Sequence, residues 1–401
     1  MDFQAMKKRG HMFMRRCWLL WLIVIPSGLR AQTPTGATDV GSYVGSSVCK
    51  TCHSAIWERW KKTRMANVVA DPKLRPEVVI PDFSKPDPVR TFAIGDVAVV
   101  YGGKLKQRYF RKSGDDYFPL PATWDVTNRA WRPYSHTQQP TSQECDGCHS
   151  VNFDIRTRTV TEWNVGCERC HGPGSRHAGQ PSRANIVNPA RLDYIKANDV
   201  CIQCHSIGES ALNPIEGRNY AWPVGFRLGM DLSKFWKFDD RHATGPDSAY
   251  FPDGTGSGNR MQGNDFVTSL MYTRGVKCFT CHDVHGTENN ADLLRPSSVL
   301  CLQCHGPSSP NGPRGGDLAR HTHHAPGSAG SECVGCHMPK IQPTIADVKV
   351  HAHTFRFIAP ATAQSAKMPD SCTACHTDKT TEWAASVLRA WPEFSPWRMN
   401  Q

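Results

Sequence analysis

The sequence has little of the material from which a large aliphatic core is built. Hydrophobic residues make up only 39% of its 401 residues, while glycine contributes 32 residues and proline 29. Beyond the N-terminus it lacks an apolar run long enough to cross a bilayer. It also lacks the basic runs with interleaved aromatics that are typical of nucleic-acid binding. These deficits exclude a nucleic-acid-binding module and a further membrane span, and they predict that something other than protein fills part of the interior.

The N-terminus has the pattern of a secretory signal. Five basic residues between positions 7 and 16 precede the apolar run of residues 17–25, and small residues lead to Ala31. We therefore expect residues 1–31 to direct export and to be removed. Their removal takes away six basic residues and one acidic residue, which lowers the formal charge from +11 to +6. An uncleaved membrane anchor is the alternative, because Leu29 stands where a small residue is usual before the cut.

Sixteen cysteines follow this segment, and the spacing Cys-x-x-Cys-His accounts for all of them. The motifs, numbered 1 to 8 in chain order, are Cys49/Cys52/His53, Cys145/Cys148/His149, Cys167/Cys170/His171, Cys201/Cys204/His205, Cys278/Cys281/His282, Cys301/Cys304/His305, Cys333/Cys336/His337 and Cys372/Cys375/His376. This spacing is the attachment motif of c-type haem, in which two thiols add to the vinyl groups and the imidazole binds the iron from one side. The sequence therefore predicts eight covalently bound haem c groups.

Cys-x-x-Cys pairs have two other uses in proteins, structural zinc sites and disulfides. Structural zinc sites use Cys-x-x-Cys pairs, but zinc does not require a histidine after every second cysteine. Disulfides suit an exported chain, yet bridges between positions three apart close small strained loops and connect nothing distant. Both alternatives explain the pattern less well than haem attachment.

Eight haems in residues 32–401 imply that the macrocycles themselves form much of the core. We expect short helices around the motifs, a C-terminal amphipathic helix near residues 380–391, and long Pro/Gly loops. The exception is a small β-meander near residues 90–120, where strand-like runs are broken by glycine turns. The expected segments are a signal peptide (1–31), a first haem segment (32–70), a haem-free β-rich insert (71–143), a three-haem segment (144–210), a haem-poor linker (211–276) and a four-haem C-terminal segment (277–401).

Four stretches carry a family resemblance: residues 43–53, 165–177, 275–285 and 333–339. They resemble the exported multihaem c-type cytochromes with doubled CxxCH motifs, which are relatives of the tetrahaem c-554 type. The resemblance implies a multihaem cytochrome c fold, mostly α and irregular, and a role in anaerobic or respiratory electron transport. The run Cys336-His337-Met338-Pro339 with a downstream histidine is also similar to the C-terminal haem region of pentahaem nitrite reductases.

The function of each haem depends on the sixth ligand of its iron. A closed iron, which has two protein ligands, exchanges electrons, whereas an open iron, which has only one, can bind a small molecule. Nine histidines are available for this position. The resemblance implies a distal role for His177, His285, His321, His324 and His353, while His136 and His242 are further candidates and His323 and His351 are spares. Since His282 and His285 lie on one short segment, we expect His285 to reach the iron of a neighbouring haem.

Motif 1 departs from the family, because Met65 stands where relatives place a histidine. A His53/Met65 pair would raise the potential of that haem relative to a bis-histidine site. The alternative is that Met65 is a core residue and that His136 or another histidine closes the iron.

Three classes of function remain. The first is an exported electron-transfer cytochrome in the periplasm or at the cell surface, with a quinol-oxidising donor and a terminal acceptor as redox partner proteins. The second is a multihaem oxidoreductase of a nitrogen or sulfur oxyanion, such as nitrite, hydroxylamine or tetrathionate, with one open haem. The third is a subunit of a membrane-associated complex or a filament.

No catalytic residue is assigned from the sequence. The chain has no Cys-x-x-Cys-Lys motif, which excludes the lysine-ligated type of catalytic haem. A reductase would need groups such as Arg108, Tyr109 or His136 over an open haem, and the sequence does not place them there. The β-meander is expected either to cover the first haems or to dock an acidic partner through Lys104, Lys106, Arg108, Arg111 and Lys112.

Overall fold

The computed structural model describes residues 41–243, 245–246, 248–312 and 317–393. The expected signal peptide lies outside the described residues. The described residues from 41 onward belong to one compact unit, in which the helices are short and the strands form small antiparallel sheets. These features confirm the predicted fold class.

Several helices consist of a haem motif or end in one. In motifs 1, 4 and 8 the backbone N–H of the histidine donates to the carbonyl of the first cysteine, at 2.9, 2.9 and 2.8 Å. This single helical turn places both thiols and the imidazole on one side of the backbone. The helices are α1 (Ser46–Lys50), α2 (Ser54–Trp60), α3 (Thr141–Glu144), α4 (Cys167–His171), α5 (Ser175–Gly179), α6 (Tyr194–Ile202), α7 (Gln262–Phe266), α8 (Leu270–Thr273), α9 (Cys278–Cys281), α10 (Ser297–His305), α11 (Leu318–Thr322), α12 (Cys333–His337), α13 (Pro360–Ser365) and α14 (Thr381–Ala390).

Helix α14 is the predicted C-terminal amphipathic helix. Thr380 caps it by accepting a hydrogen bond from the backbone N–H of Trp383. Ala384, Ala385 and Leu388 form its buried face. Within the described ranges, no helix has the length and apolar character needed to cross a membrane.

The largest sheet has five antiparallel strands in sequence order: β1 (Val69–Ala70), β2 (Val99–Gly102), β3 (Lys106–Ser113), β4 (Asp116–Asp125) and β5 (Ala130–Pro133). It is the predicted β-meander, extended at both ends beyond residues 90–120. Three two-stranded sheets accompany it. They pair β6 (Ser150–Val151) with β7 (Glu162–Trp163), β8 (Gly208–Ser210) with β9 (Trp236–Phe238), and β10 (Lys340–Ile345) with β11 (Val348–His351).

The two faces of the five-stranded sheet have different partners. One face carries its own aromatic core, which includes Tyr109 and Trp131. On the other face Tyr101 and Phe110 pack against Cys145 of motif 2. Because side chains alternate along a strand, one side of the sheet is self-contained and the other covers a haem motif.

The five basic residues that were expected to form one docking surface differ in exposure. Arg111 and Lys112 are exposed, and Lys104 is exposed while its Nζ donates to Asn290 Oδ1 at 2.9 Å. Lys106 and Arg108 are half-buried and lie on the same side of β3 as Phe110. A single exposed basic surface is therefore not present on this sheet.

Two carboxylates of the motif 3 region, the buried Glu168 and the half-buried Glu162, hold the segment that leads into motif 1. Glu168, which is 2% exposed, accepts hydrogen bonds from the backbone N–H groups of Val44, Gly45 and Gly174 at 2.7–3.0 Å. Glu162 accepts from the backbone and hydroxyl of Ser46. The same hydroxyl oxygen accepts from the N–H of Cys167 at 2.8 Å. Motif 1 is thereby held next to motif 3.

We expect Glu168→Gln to weaken this connection. An amide presents one acceptor oxygen and turns an NH2 group toward backbone donors, so at least one buried N–H loses its partner. The free energy of unfolding should fall by about 2 kcal/mol or more. Urea unfolding of the haem-loaded protein, followed by far-UV circular dichroism, measures this change.

The matched control is Glu288→Gln, which makes the same chemical change at an exposed position. Equal unfolding free energies for the two variants would show that Glu168 does not hold the segment.

Candidate haem-binding sites

Four of the motif histidines face a second imidazole from elsewhere in the chain. The ring centres are 6.3 Å apart for His53 and His177, and 6.2 Å apart for His171 and His285, for His337 and His321, and for His376 and His324. Three of these pairs are close to parallel, with interplanar angles of 13°, 17° and 5°. Two imidazoles bound end-on to one metal through bonds of about 2 Å, with about 1.1 Å from each nitrogen to its ring centre, would be ~6 Å apart. The spacing fits a bis-histidine haem iron.

The orientation of the imidazoles fits the same role. In three motif histidines and three of the candidate distal histidines, Nδ1 donates to a backbone carbonyl, which leaves Nε2 with its lone pair as the metal-binding atom. The acceptors are Val187 for His171 (2.8 Å), Ala291 for His282 (2.9 Å), Asn311 for His305 (2.7 Å), Ser182 for His177 (3.0 Å), Thr322 for His324 (2.6 Å) and His351 for His353 (3.0 Å). The residues present therefore suit haem c, which supplies redox chemistry at its iron when it is bound.

His324 is positioned by the backbone on both sides. The preceding residue, His323, adopts a left-handed conformation (φ 53°) that ends α11 and redirects the chain. Gly330 lies against the imidazole, because a Cβ at this position would come within 2.1 Å of the His324 ring. A glycine is needed there for His324 to face His376.

His353 is half-buried, and its electrostatic neighbours include His282 and His205. Burial first, and these two imidazoles among the later causes, lower the pKa of His353 to about 4, which keeps the ring neutral. Its backbone N–H donates to Asp265 at 3.1 Å, and Asp265 also accepts from Gln342 at 2.8 Å. This buried network fixes the segment on which His353 lies.

The other candidate ligands are placed differently. His136 and His242 are exposed. His323 stacks on Trp391 with ring centres 4.1 Å apart and contacts Glu393, and His351 donates from Nδ1 to the carbonyl of Met338.

Met65 lies in a 3-10 helix (Met65–Asn67), and its side chain is half-buried. Its carbonyl accepts from the N–H of Val165 at 3.0 Å. Because His177 is the residue that faces His53, a His53/Met65 pair stays a prediction that would require His177 to move.

Thiols of different motifs touch one another. Four pairs are in hydrogen-bond contact, which raises the pKa of one thiol and lowers that of its partner: Cys49 with Cys167, Cys148 with Cys204, Cys201 with Cys278, and Cys301 with Cys333. Weaker electrostatic contacts join Cys170 to Cys204, Cys281 to Cys304, and Cys336 to Cys372. The motifs therefore follow the spatial order 1-3-4-5-6-7-8, and motif 2 branches from motif 4. Chain order and spatial order differ, which the sequence does not reveal.

Motif 2 is held rigidly by its own contacts. The hydroxyl of Tyr101 donates to Asp146 at 2.6 Å, and that of Thr141 donates to the other carboxylate oxygen at 2.9 Å. Gly147 lies flat against the indole of Trp222, where a Cβ would come within 1.9 Å. Tight packing on both sides leaves the motif 2 turn little freedom.

His149 of motif 2 differs from the four paired motif histidines. The ring that it contacts is Tyr101, edge to face at 5.6 Å. Its buried Nδ1 has no hydrogen-bond partner among the described residues. Burial, and next the charge of Arg260, lowers the pKa of His149 to about 4. The imidazole of His205 and the guanidinium of Arg169 act on His149 more weakly than Arg260 does.

Arg169 also acts electrostatically on Cys148 and His149 of motif 2, and Arg108 and Lys106 interact with Arg260 or with the same motif. Arg108 lies over the ring of Tyr134 at 4.3 Å, and its buried Nε has no partner among the described residues. Lys106 donates to the carbonyl of Thr344 at 2.9 Å, and burial together with Arg108 and Arg260 lowers its pKa to about 8. Lys106 and Arg108 were foreseeable as neighbours from the alternation along β3, whereas nothing in the sequence signals Arg260.

Tyr109, another of the residues considered for a catalytic site, points away from motif 2. It is 1% exposed in the core on the opposite face of the sheet, and its hydroxyl donates to Gln107 at 2.7 Å. His136 lies at the rim of the region, with its ring centre 5.7 Å from that of Tyr134.

Comparisons with known proteins agree with this geometry. The family model described as "Doubled CXXCH motif" matches residues 272–309, and the model "Cytochrome c554 and c-prime" matches residues 123–172. No curated protein matches the chain.

Among solved structures, the chain is similar to the outer cell wall cytochrome OcwA, with 22% identity and a TM-score of 0.72 over 87% of this chain and 86% of that one. It is also similar to an undecahaem cytochrome from the S-layer of Carboxydothermus ferrireducens, with 20% identity and a TM-score of 0.51 over 86% and 60% of the two chains. A third match is the octahaem sulfite reductase MccA of Wolinella succinogenes, with 16% identity and a TM-score of 0.46 over 78% and 58%. The family models match two short segments of the chain, and the match to OcwA shows that the chain has the fold of a multihaem c-type cytochrome.

Proposed function

We propose that the chain is an exported octahaem cytochrome that carries electrons along the series of motifs 1-3-4-5-6-7-8. The observation that carries this proposal is the series of interactions between thiols of successive motifs, in which hydrogen-bond contacts (motifs 1 and 3, 4 and 5, 6 and 7) alternate with longer-range electrostatic interactions (motifs 3 and 4, 5 and 6, 7 and 8). A thiol that has added to a vinyl group marks the edge of its macrocycle, so contact between thiols brings neighbouring haem edges side by side. Haem edges in such contact favour electron transfer over ligand chemistry.

The facing imidazoles support the same function. We assign His177, His285, His321 and His324 as distal ligands of the haems at motifs 1, 3, 7 and 8, respectively, and His353 as the candidate for motif 5. His285, three residues after the motif 5 histidine, then serves motif 3, and His324 serves motif 8 from the segment that precedes motif 7. Such cross-ligation fixes the packing of one haem against the next, and a closed iron passes electrons without binding substrate.

The two ends of the series are the natural points of electron entry and exit. Cys52 of motif 1 and Cys375 of motif 8 are exposed, as is Cys304 of motif 6, whereas the cysteines of motifs 2 to 5 are buried or half-buried. Since two structural neighbours are described as outer cell wall and S-layer proteins, we place this chain in the periplasm or at the cell surface. There it would connect a quinol-oxidising donor to a terminal acceptor.

Haem content and spin state test the proposal directly. We expect the pyridine haemochrome assay to give eight haems per chain. Electron paramagnetic resonance of the ferric protein should show low-spin signals for most of them, because paired imidazoles impose a strong ligand field. In stopped-flow experiments, ferric citrate should reoxidise all the low-spin haems of the reduced protein. A majority of high-spin haems, or a fraction of haems that cannot be reoxidised, would contradict electron transfer along this series of motifs.

Gly330→Ala tests the assignment of His324. The added Cβ would lie 2.1 Å from the imidazole, so His324 must leave its place opposite His376. We expect the haem content to stay at eight while one low-spin signal converts to high spin.

Gly95→Ala is the control, because a Cβ at Gly95 meets nothing within 4 Å. If the two variants have the same spectrum, His324 is not the distal ligand of motif 8.

A further inference from the structure

Helix α11 bears on two of the assigned distal ligands but buries none of its own residues. His321 lies inside the helix and His324 follows its end, and all five residues of α11 are at least partly exposed. Helices in proteins are usually fixed by the burial of an apolar face. The position of α11 therefore depends on the polar and aromatic contacts that its residues and its end make with the rest of the chain.

Local contacts orient the ring of His324 without attaching it to motif 8. Its Nδ1 lies 2.6 Å from the carbonyl oxygen of Thr322, to which it donates. Asp317 caps the start of α11 by accepting from the backbone N–H of Arg320 at 2.8 Å. Both contacts lie within residues 317–324, so they move with this segment. A bond of about 2 Å between a histidine nitrogen and a metal tolerates little movement, so contacts from outside the segment are needed.

The residues that follow α14 provide such contacts. The indole of Trp391 stacks on the ring of His323, with ring centres 4.1 Å apart and an interplanar angle of 13°. Nε2 of His323 donates to Glu393 at 3.0 Å, and the guanidinium of Arg320 pairs with the same carboxylate at 3.4 Å. His323 is the residue whose left-handed conformation ends α11. These contacts therefore hold the turn that precedes His324.

The opposite end of α14 is attached to motif 8 itself. The hydroxyl of Thr381 donates to Asp370 at 2.9 Å, and the same carboxylate accepts from the backbone N–H of Cys372 at 2.9 Å. The indole of Trp383 lies against the ring of His376, with ring centres 5.1 Å apart. One helix thus contacts the motif histidine near its start and, through the residues that follow it, the segment of the distal histidine.

We propose that α14 and residues 391–393 form a clamp across the haem of motif 8, in which Trp391 and Glu393 are positioning residues for His324. The clamp keeps the distal imidazole opposite His376, so that the iron stays closed by two histidines and suited to electron transfer. The proposal rests on the assignment of His324 as the distal ligand of motif 8. It goes beyond that assignment, because it names the residues that keep the terminal haem of the series closed.

Trp391→Ala in the haem-loaded full chain tests the clamp. Loss of the indole removes the stacked ring from His323, so His324 should leave the iron. We expect one low-spin signal in the electron paramagnetic resonance spectrum to convert, in large part, to high spin. Added imidazole should restore that low-spin signal, because it binds at the position that His324 leaves. A role in stability alone would not produce this response. The unmodified protein, titrated in parallel, gives the response of any haem that is already open.

Two further variants are matched to this one. Trp391→Phe keeps an aromatic ring for stacking and should retain the low-spin spectrum. Glu393→Ala removes the partner of His323 and Arg320 and should shift the spectrum in the same direction as Trp391→Ala. Its control is Glu288→Ala, which makes the same change at an exposed position and should leave the spectrum unchanged. Haem content is measured for every variant, and Glu393→Ala decides the test if Trp391→Ala loses a haem.

Two results would overturn the proposal, and they differ in what else they overturn. If Trp391→Ala and Glu393→Ala keep the unmodified spectrum while Gly330→Ala gives a high-spin haem, the clamp is wrong but His324 remains the distal ligand. If Gly330→Ala also leaves the spectrum unchanged, His324 is not the ligand, and the clamp fails together with that assignment. Electron transfer along the series is measured separately, by reoxidation of the low-spin haems.

Discussion

The separation of about 6 Å between two facing imidazoles is the constraint on which the rest of the structure depends. Each motif histidine is fixed by its own helical turn, but its partner comes from a different part of the chain. His177 reaches motif 1 from the helix after motif 3, and His285 reaches motif 3 from the loop after motif 5. Every such pair therefore joins two segments, and buried carboxylates such as Glu168 and Asp265 hold those segments in place.

This constraint explains why so little regular structure is needed. An aliphatic core usually fixes the relative positions of long helices. Here a helical turn at several motifs, and a backbone carbonyl at the Nδ1 of most of the paired and candidate imidazoles, set the orientation of these rings locally. The five-stranded sheet is the exception, since it has an aromatic core of its own around Tyr109 and Trp131. It is also the element that covers motif 2, so this aromatic core lies next to the motif with unusual surroundings.

How far the sequence predicts this arrangement depends on how many residues separate the interacting groups along the chain. Haem attachment is local, so the spacing of cysteine and histidine is sufficient to predict it. The β-meander also follows from local turns, although its pairing with Val69–Ala70 does not. The pairing of imidazoles depends on which motifs lie side by side, and no periodicity encodes that. Arg260 comes from a stretch without regular patterning, so only the folded chain shows that it joins Arg108 beside motif 2.

The contacts between thiols of different motifs have a consequence for the maturation of the protein. Thiols in hydrogen-bond contact are close to the geometry from which a disulfide forms, and an oxidising compartment favours that reaction. If the chain folded before its haems were attached, the four closest contacts would place half of the sixteen motif thiols at risk of cross-linking. Each such bridge would block two haem sites. The native packing is thus compatible with attachment only if the chain is held open, with its thiols reduced, until the haems are in place.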